Sequence, residues 1–299
     1  MNYKLKIGRL SSFLLIASLL IGLGSIKAQQ KDRNSLFWEI SGNGLRKPSY
    51  LFGTYHFADK GFIDTMKRVN TALAAADVIV GELVMDQTMA MKLMPYMMLK
   101  DTTLDKLLSP TEYQAVADYL KRATNMDLKL LNTFTPIAVQ TILEQANAPK
   151  TFSANNPAID LYFQDYARAA HKKVIGLETL EEQATVLFGS TLERQKELLL
   201  KTVSNGSKAK AESEKLYQYY IAQNLKGLEQ LFTADTDYTP EEIDRLLYNR
   251  NKNWLSQLPT MMKDQSLFIA VGAGHLIGKQ GLIKGLQEKG YTVKPVRVD

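Results

Sequence analysis

An apolar run that ends in Gly-x-x-His occurs near both ends of the chain, as "SYLFGTYH" at residues 49–56 and "SLFIAVGAGH" at residues 266–275. Each run is short, rich in aromatic and β-branched residues and bounded by turn formers, which is the pattern of a buried strand. Apolar residues at helical spacing follow each one: Ile63, Met66, Val69, Leu73 and Ala76 after the first, and Leu282, Ile283 and Leu286 after the second. A further strand closes each unit, "DVIVGELVMD" at 77–86 and "YTVKPVRV" at 291–298. A strand that returns through a helix feeds a parallel neighbour. The expected fold class is therefore α/β, a central and mostly parallel sheet built from two pseudo-duplicated strand-GxxH-helix-strand units at the chain ends, with a large helical insertion.

The remaining sequence fits around these units. "LFWEIS" at 36–41 and "SYLFG" at 49–53 flank the turn-rich "GNGLRKP" and predict a pair of strands. A third strand is expected at "KKVIGLET", 172–179, preceded by a helix over 157–171 with Asn156 as its N-cap and Pro157 in its first turn. Residues 87–171 and 179–265 read as mainly helical, and "SKAKAESEKLYQYY" at 207–220 as a solvated hairpin helix. No Gly/Ser-rich linker divides the chain, so residues 29–299 are expected to form one α/β domain.

The first 28 residues read differently. Lys4, Lys6 and Arg9 precede an apolar run from Leu10 to about Gly24, and "SIKA" follows it. That order predicts a signal peptide over 1–28, an exported protein that is periplasmic or secreted, and no transmembrane span once the signal is removed. These residues hold four of the 37 basic residues and none of the 31 acidic ones, so the rest of the chain is close to +2. That near-neutrality argues against a nucleic-acid partner. With no cysteine there is no disulfide framework, thiolate nucleophile or lipoprotein anchor, and the fold rests on its core.

In sheets of this kind functional groups collect at the carboxyl ends of parallel strands. The four predicted strand ends carry His56, Glu82 in "VIVGEL", Glu178 in "VIGLET", and His275. Two imidazoles and two carboxylates suit a divalent metal such as zinc, manganese or iron with an open position for water. The glycines before the histidines are expected to allow positive φ and a close ligand. Arg250 lies on the inward face of a helix read from Leu247, Trp254, Leu258 and Met261, so its guanidinium needs a carboxylate or a substrate anion. His171, at a basic helix end, is expected to have no part in the site.

"YLFGTYH", "VIVGELVMD", "KKVIGLETLEEQ", "RNKNW" and "FIAVGAGHLIGKQGLIKGLQEKGYTVKPV" together resemble the TraB/GumN family, from about residue 36 to 297. That family is related to the Tiki metalloproteases and more distantly to the erythromycin esterase and ChaN proteins. The resemblance implies an α/β fold with a duplicated core and, by its Tiki branch, a metal-dependent peptidase. His56 and His275 match the motif histidines, Glu82 the acid of the following strand, Glu178 the "GLET" segment and Arg250 the "RN" pair. The expected function is a metal-dependent hydrolase of peptide or small-molecule substrates, with manganese, zinc or cobalt held by His56, Glu82 and His275. A metal-bound water would supply the nucleophile, the remaining glutamate would act as base and then acid, and Arg250 would steady the developing oxyanion.

Other readings stay open. A metal-free hydrolase with histidine as base follows from the esterase resemblance, and a haem- or iron-binding module from the ChaN one. Gly272, Gly274 and Gly278 approach a dinucleotide fingerprint, yet the 21 residues after Gly278 leave no room for a second unit. Six of the 11 methionines lie between Met85 and Met98, either as a flexible core-facing stripe or as an adaptable groove or lid beside the site.

Overall fold

A computed structural model describes residues 34–149, 153, 155–233 and 237–299. The expected signal peptide lies outside these described residues. Six strands form one sheet in the order β4-β3-β5-β2-β1-β6: β1 Phe37–Ser41, β2 Ser49–Thr54, β3 Val78–Gly81, β4 Lys173–Gly176, β5 Leu267–Gly272 and β6 Thr292–Pro295. β2, β3, β4 and β5 run parallel, whereas β1 is antiparallel to both β2 and β6. The sheet is thus mostly parallel, as expected. The β1–β2 connection reverses through Gly42, Asn43 and Gly44, all with positive φ, a backbone state for which two glycines and an asparagine are suited.

Parallel strands end on the same edge, and their registers decide which residues meet there. Thr54 pairs with Gly272, Gly81 with Ala270, and Gly81 with Gly176. The residues that follow, His56, Glu82, Glu178 and His275, therefore leave the sheet along one edge. The two Gly-x-x-His segments are neighbours but out of step by one residue, because Gly53 pairs with Val271 rather than with Gly272.

Leu51, Phe52, Ile79, Val80, Phe268 and Ile269 are fully buried at the sheet centre and join helices Ile159–Ala169 and Asn249–Met262 in one large apolar cluster. A second cluster lies wholly within the helical segments. Leu104, Val116, Leu120, Val139 and Leu143, from between β3 and β4, pack there with Leu199 from between β4 and β5. The two helical segments thereby form a common layer over the carboxyl edge of the sheet.

Several local expectations are corrected. The helix expected to begin at Pro157 begins at Ile159, and its cap is Ala158 with no side-chain bond. Asn156 is used elsewhere, its Oδ1 accepting from the Gly61 N–H at 2.9 Å. The helix after β5 is limited to Leu282–Glu288, with a 3₁₀ turn at Ala273–His275 and Gly278 at φ +80° before it. His171 lies beyond its helix in the left-handed region, at φ +54°. Helix Gly206–Ile221 begins solvated as expected, but it ends with Tyr220 buried in the core and donating its hydroxyl to the Gly53 carbonyl at 3.1 Å.

Candidate active site

The glycines of the two motifs serve closeness rather than backbone strain, since neither Gly53 nor Gly272 has a positive φ. A Cβ on Gly53 would stand 3.1 Å from Ala273, and one on Gly272 would stand 3.2 Å from Glu82 Oε1. The Gly272 N–H donates to that same oxygen at 2.8 Å. Gly272 therefore admits the Glu82 carboxylate against the end of β5.

Arg250 is the centre of the site. Its side chain is 9% exposed and bonds every other buried member of the predicted set. Nε and Nη2 donate to Glu178 at 3.0 and 2.6 Å, Nη2 also donates to Glu82 Oε2 at 2.6 Å, and Nη1 donates to the Leu246 carbonyl at 3.0 Å and to His275 Nε2 at 3.0 Å. Gln183 adds donors to both carboxylates, at 3.0 Å to Glu82 and 2.9 Å to Glu178. A buried guanidinium between two buried carboxylates meets the requirement that low-dielectric charge be paired and fully hydrogen-bonded. The Trp254 ring lies under it, 4.9 Å from the guanidinium carbon and 4.4 Å from the His275 ring. A π turn at Asp244–Tyr248 precedes this helix, and on its inward face the fully buried methionine is Met262, four residues after Leu258, rather than Met261.

His275 is 4% exposed and its tautomer is set by its neighbours. Arginine cannot accept a hydrogen bond, so Nε2 carries the lone pair. Nδ1–H donates to Asn251 Oδ1 at 2.7 Å, and the Asn251 amide is itself oriented by donating to the carbonyls of His275 and Gln280. Burial lowers the His275 pKa to about 4, with Arg250 and His56 adding to this against the pull of Glu82, so the ring is neutral near pH 7. Burial pushes Glu82 upward, but neighbouring positive charge and the Gly272 N–H outweigh it and hold the carboxyl down at about 2. His275 is the strongest of these lowering groups, because it is itself protonated at the low pH where Glu82 titrates, and Arg250 and His56 follow.

His56 stands apart from this cluster. Its side chain is 67% exposed, and Nδ1 lies 3.0 Å from Asp160 Oδ2. The Asp160 charge raises His56 to about 9 against the opposing effect of burial. The ring faces the open cavity, where solvent screens the Asp160 charge. The two motif histidines thus carry opposite shifts from different surroundings.

The cavity beside His56 has a volume of about 670 Å³. Its floor is the carboxyl edge of the sheet, with Glu82, His56 and Asp160, and its roof comes from the helical segments, with Ile137, Glu144, Phe188 and Leu246. Of the five residues expected at the site, His56 and Glu82 line the cavity, whereas Glu178, Arg250 and His275 lie beneath it and hold Glu82. Met85 and Met89 from the Met-rich stretch also line it. Helix Met89–Met97 has no fully buried residue, and Met91 and Met94 are exposed, which corrects the core-facing reading of that stretch.

The expected metal ligands His56, Glu82 and His275 do not converge around one point. Each already has a partner: His56 Nδ1 on Asp160, His275 Nε2 on Arg250, and the Glu82 oxygens on Arg250, Gln183 and Gly272. Among the described residues no group of three or more histidine, aspartate or glutamate side chains is arranged to hold a metal ion. Arg250 fills the point on which the buried donors converge. As arranged, the donor set does not fit a resident metal.

Asp160, Gln183 and Asn251 belong to the site but escape strand-end reasoning. Asp160 lies in the first turn of helix Ile159–Ala169, and Gln183 lies one turn into the helix that follows Glu178. Asn251 had a signal in its adjacency to Arg250 on the same inward helix face.

Residues 36–295 match the model of the TraB/PrgY/gumN family. A protein from Danio rerio named metalloprotease TIKI2 is 24% identical over 89% of this chain and 61% of its own length. One from Homo sapiens named metalloprotease TIKI1 is 23% identical over 90% and 63%. An uncharacterized protein from Treponema pallidum (strain Nichols) is 20% identical over 89% and 84%. The chain thus spans less than two thirds of the TIKI relatives' length. No solved structure matches it significantly. With one family model matched from the first strand to the last, the chain belongs to the TraB/PrgY/gumN family.

Proposed function

We propose that the chain is a hydrolase of peptide-like bonds, acting where His56 and Glu82 face the cavity. The observation that carries this reading is the placement of a His56–Asp160 pair and an ionised Glu82 in one cavity at the carboxyl edge of the parallel strands. The metalloprotease names of the relatives support it.

With Nδ1–H donating to Asp160, His56 Nε2 is the atom left to exchange a proton with substrate. Asp160 favours the protonated ring, so His56 is the proton donor to the leaving nitrogen. Glu82 positions the attacking water and receives its proton. A carboxylate held this low is a weak base on its own, so the roles of Arg250, Glu178 and His275 are to fix Glu82 in place and to exclude water beneath it. Arg250 is engaged by two carboxylates, which limits the oxyanion role expected for it. The relatives' names suggest a divalent metal, whereas the donors of this chain support chemistry carried by its own acid and base groups.

Peptide hydrolysis by the purified protein, measured with and without added manganese or zinc and beside His56→Ala and Glu82→Gln, tests the reading. Both substitutions are expected to lower kcat by roughly 10²-fold or more. Unchanged turnover in either variant would sink it. A Soret band in the purified protein would favour a haem-binding module instead.

A further inference from the structure

We propose that Arg245 selects the substrate by binding the free C-terminal carboxylate of a short apolar peptide in the roof of the cavity. This deepens the hydrolase reading and rests on the cavity being its substrate site.

Three arginines here can be compared by one feature, the Nε/Nη2 edge that matches a carboxylate. In Arg194 that edge holds Glu242, with Nε to Oε1 at 2.9 Å and Nη2 to Oε2 at 2.8 Å. In Arg250 it holds Glu178. In Arg245 it holds no carboxylate. Nη2 donates to Ser190 Oγ at 2.7 Å, and Nε is buried with no acceptor. Arg245 makes no ion pair among the described residues, and Glu242, whose charge it feels, is already engaged by Arg194 and by the Thr239 N–H. A buried donor without an acceptor is costly, and a carboxylate that draws this edge toward the cavity satisfies it.

The surroundings specify the rest of the ligand. Arg245 lies in the π turn and lines the cavity with Leu187, Phe188, Leu198 and Leu246. Apolar walls favour apolar side chains and strengthen the ion pair. Glu144, in the same roof, accepts from Gln140 and its carboxyl is pushed up by burial, so the walls around Arg245 disfavour any ligand charge other than the one Arg245 pairs. Arg245 and Glu82 line the same cavity, so a peptide whose C-terminal carboxylate sits on Arg245 can present an upstream peptide bond to Glu82. Water adds across that bond, its hydroxyl going to the acyl carbon and its hydrogen to the leaving nitrogen, which releases a short peptide bearing the free C-terminus.

The test uses an N-acetylated apolar tetrapeptide as free acid, as C-terminal amide, and as an amide carrying one internal Asp. Affinities are measured by calorimetry on the His56→Ala variant, and turnover on the otherwise unaltered chain. The free acid is expected to bind roughly 10- to 100-fold tighter than either amide, and adding Arg245→Met should bring that ratio close to one. Arg245→Lys should retain part of it. Ser190→Ala, which frees Nη2, should strengthen the preference and reports on the site even if Arg245→Met does not fold. Equal affinity for acid and amide, persistence of the preference in Arg245→Met, or tighter binding of the Asp-containing amide would overturn the proposal. Tight binding of the acid without turnover would refute the hydrolase reading and leave the carboxylate site standing. Hydrolysis without carboxylate preference would do the reverse.

Discussion

Replacing Arg250 by methionine removes the cation from between two buried carboxylates while keeping most of the side-chain volume over Trp254. In the native chain five hydrogen bonds to side chains and a carbonyl converge on that guanidinium. Their loss leaves Glu82 beside Glu178 with Gln183 as the remaining shared donor. Breaking a buried pair by deleting one partner costs about 3–5 kcal/mol. For a chain of this size each kcal/mol moves Tm by about 2–4 °C, so a fall of about 10 °C is expected in thermal unfolding. The pH dependence should also change sign. Glu82 normally titrates at about 2, below the ordinary 4.5, so its contribution is present above pH 4.5 and is lost as pH falls toward 2. Without Arg250, burial and the adjacent carboxylate raise the Glu82 pKa above its unfolded value, and the variant should regain stability as pH falls from 8 to 5. The triple variant Arg250→Met, Glu82→Gln, Glu178→Gln should recover at least half of the loss at pH 8. A loss below about 1 kcal/mol, the level of an exposed ion pair, or one equal at pH 5 and pH 8, would refute the idea of a buried cation-centred cluster.

Three further outcomes are expected. Asp160→Asn should lower the His56 pKa, which proton NMR can follow among three histidines; an unmoved titration would disprove the pairing. Since Asp160 raises that pKa, the stabilisation it gives is complete below about 6.5 and is lost as pH rises toward 9; with the ring 67% exposed it should amount to a fraction of about 1 kcal/mol. Gly272→Ala puts a methyl 3.2 Å from Glu82 Oε1 and should lower turnover by displacing the carboxylate, at a stability cost of about 1–3 kcal/mol; an unperturbed kcat would show that Glu82 need not approach β5. Tyr220→Phe should cost about 1 kcal/mol in urea unfolding through the lost bond to the Gly53 carbonyl, and no change would mean that this buried bond contributes nothing net.

The strands, their parallel direction and the acids and histidines at their ends were legible because they rest on local pattern. A β-branched run ending in glycine announces a strand and its end whatever surrounds it, as at "VIVG" and "LFIAVG". Helix Gly206–Ile221 was likewise visible, while the burial of Tyr220 at its end was not, since it depends on where that end lands. The same limit applies to the site. Sequence alone treated His56 and His275 as equivalents, since both follow a strand by the same spacing. A one-residue offset between β2 and β5, and a helix returning some 200 residues after β2 with Arg250 on its inner face, made one ring buried and neutral and left the other open to the cavity. Asp160 and Gln183 reached their partners in the same way, through packing between distant segments. Local periodicity determined which residues gather at the sheet edge. Register and burial, which depend on contacts far apart in the chain, decided their protonation, their partners and which of them face the cavity.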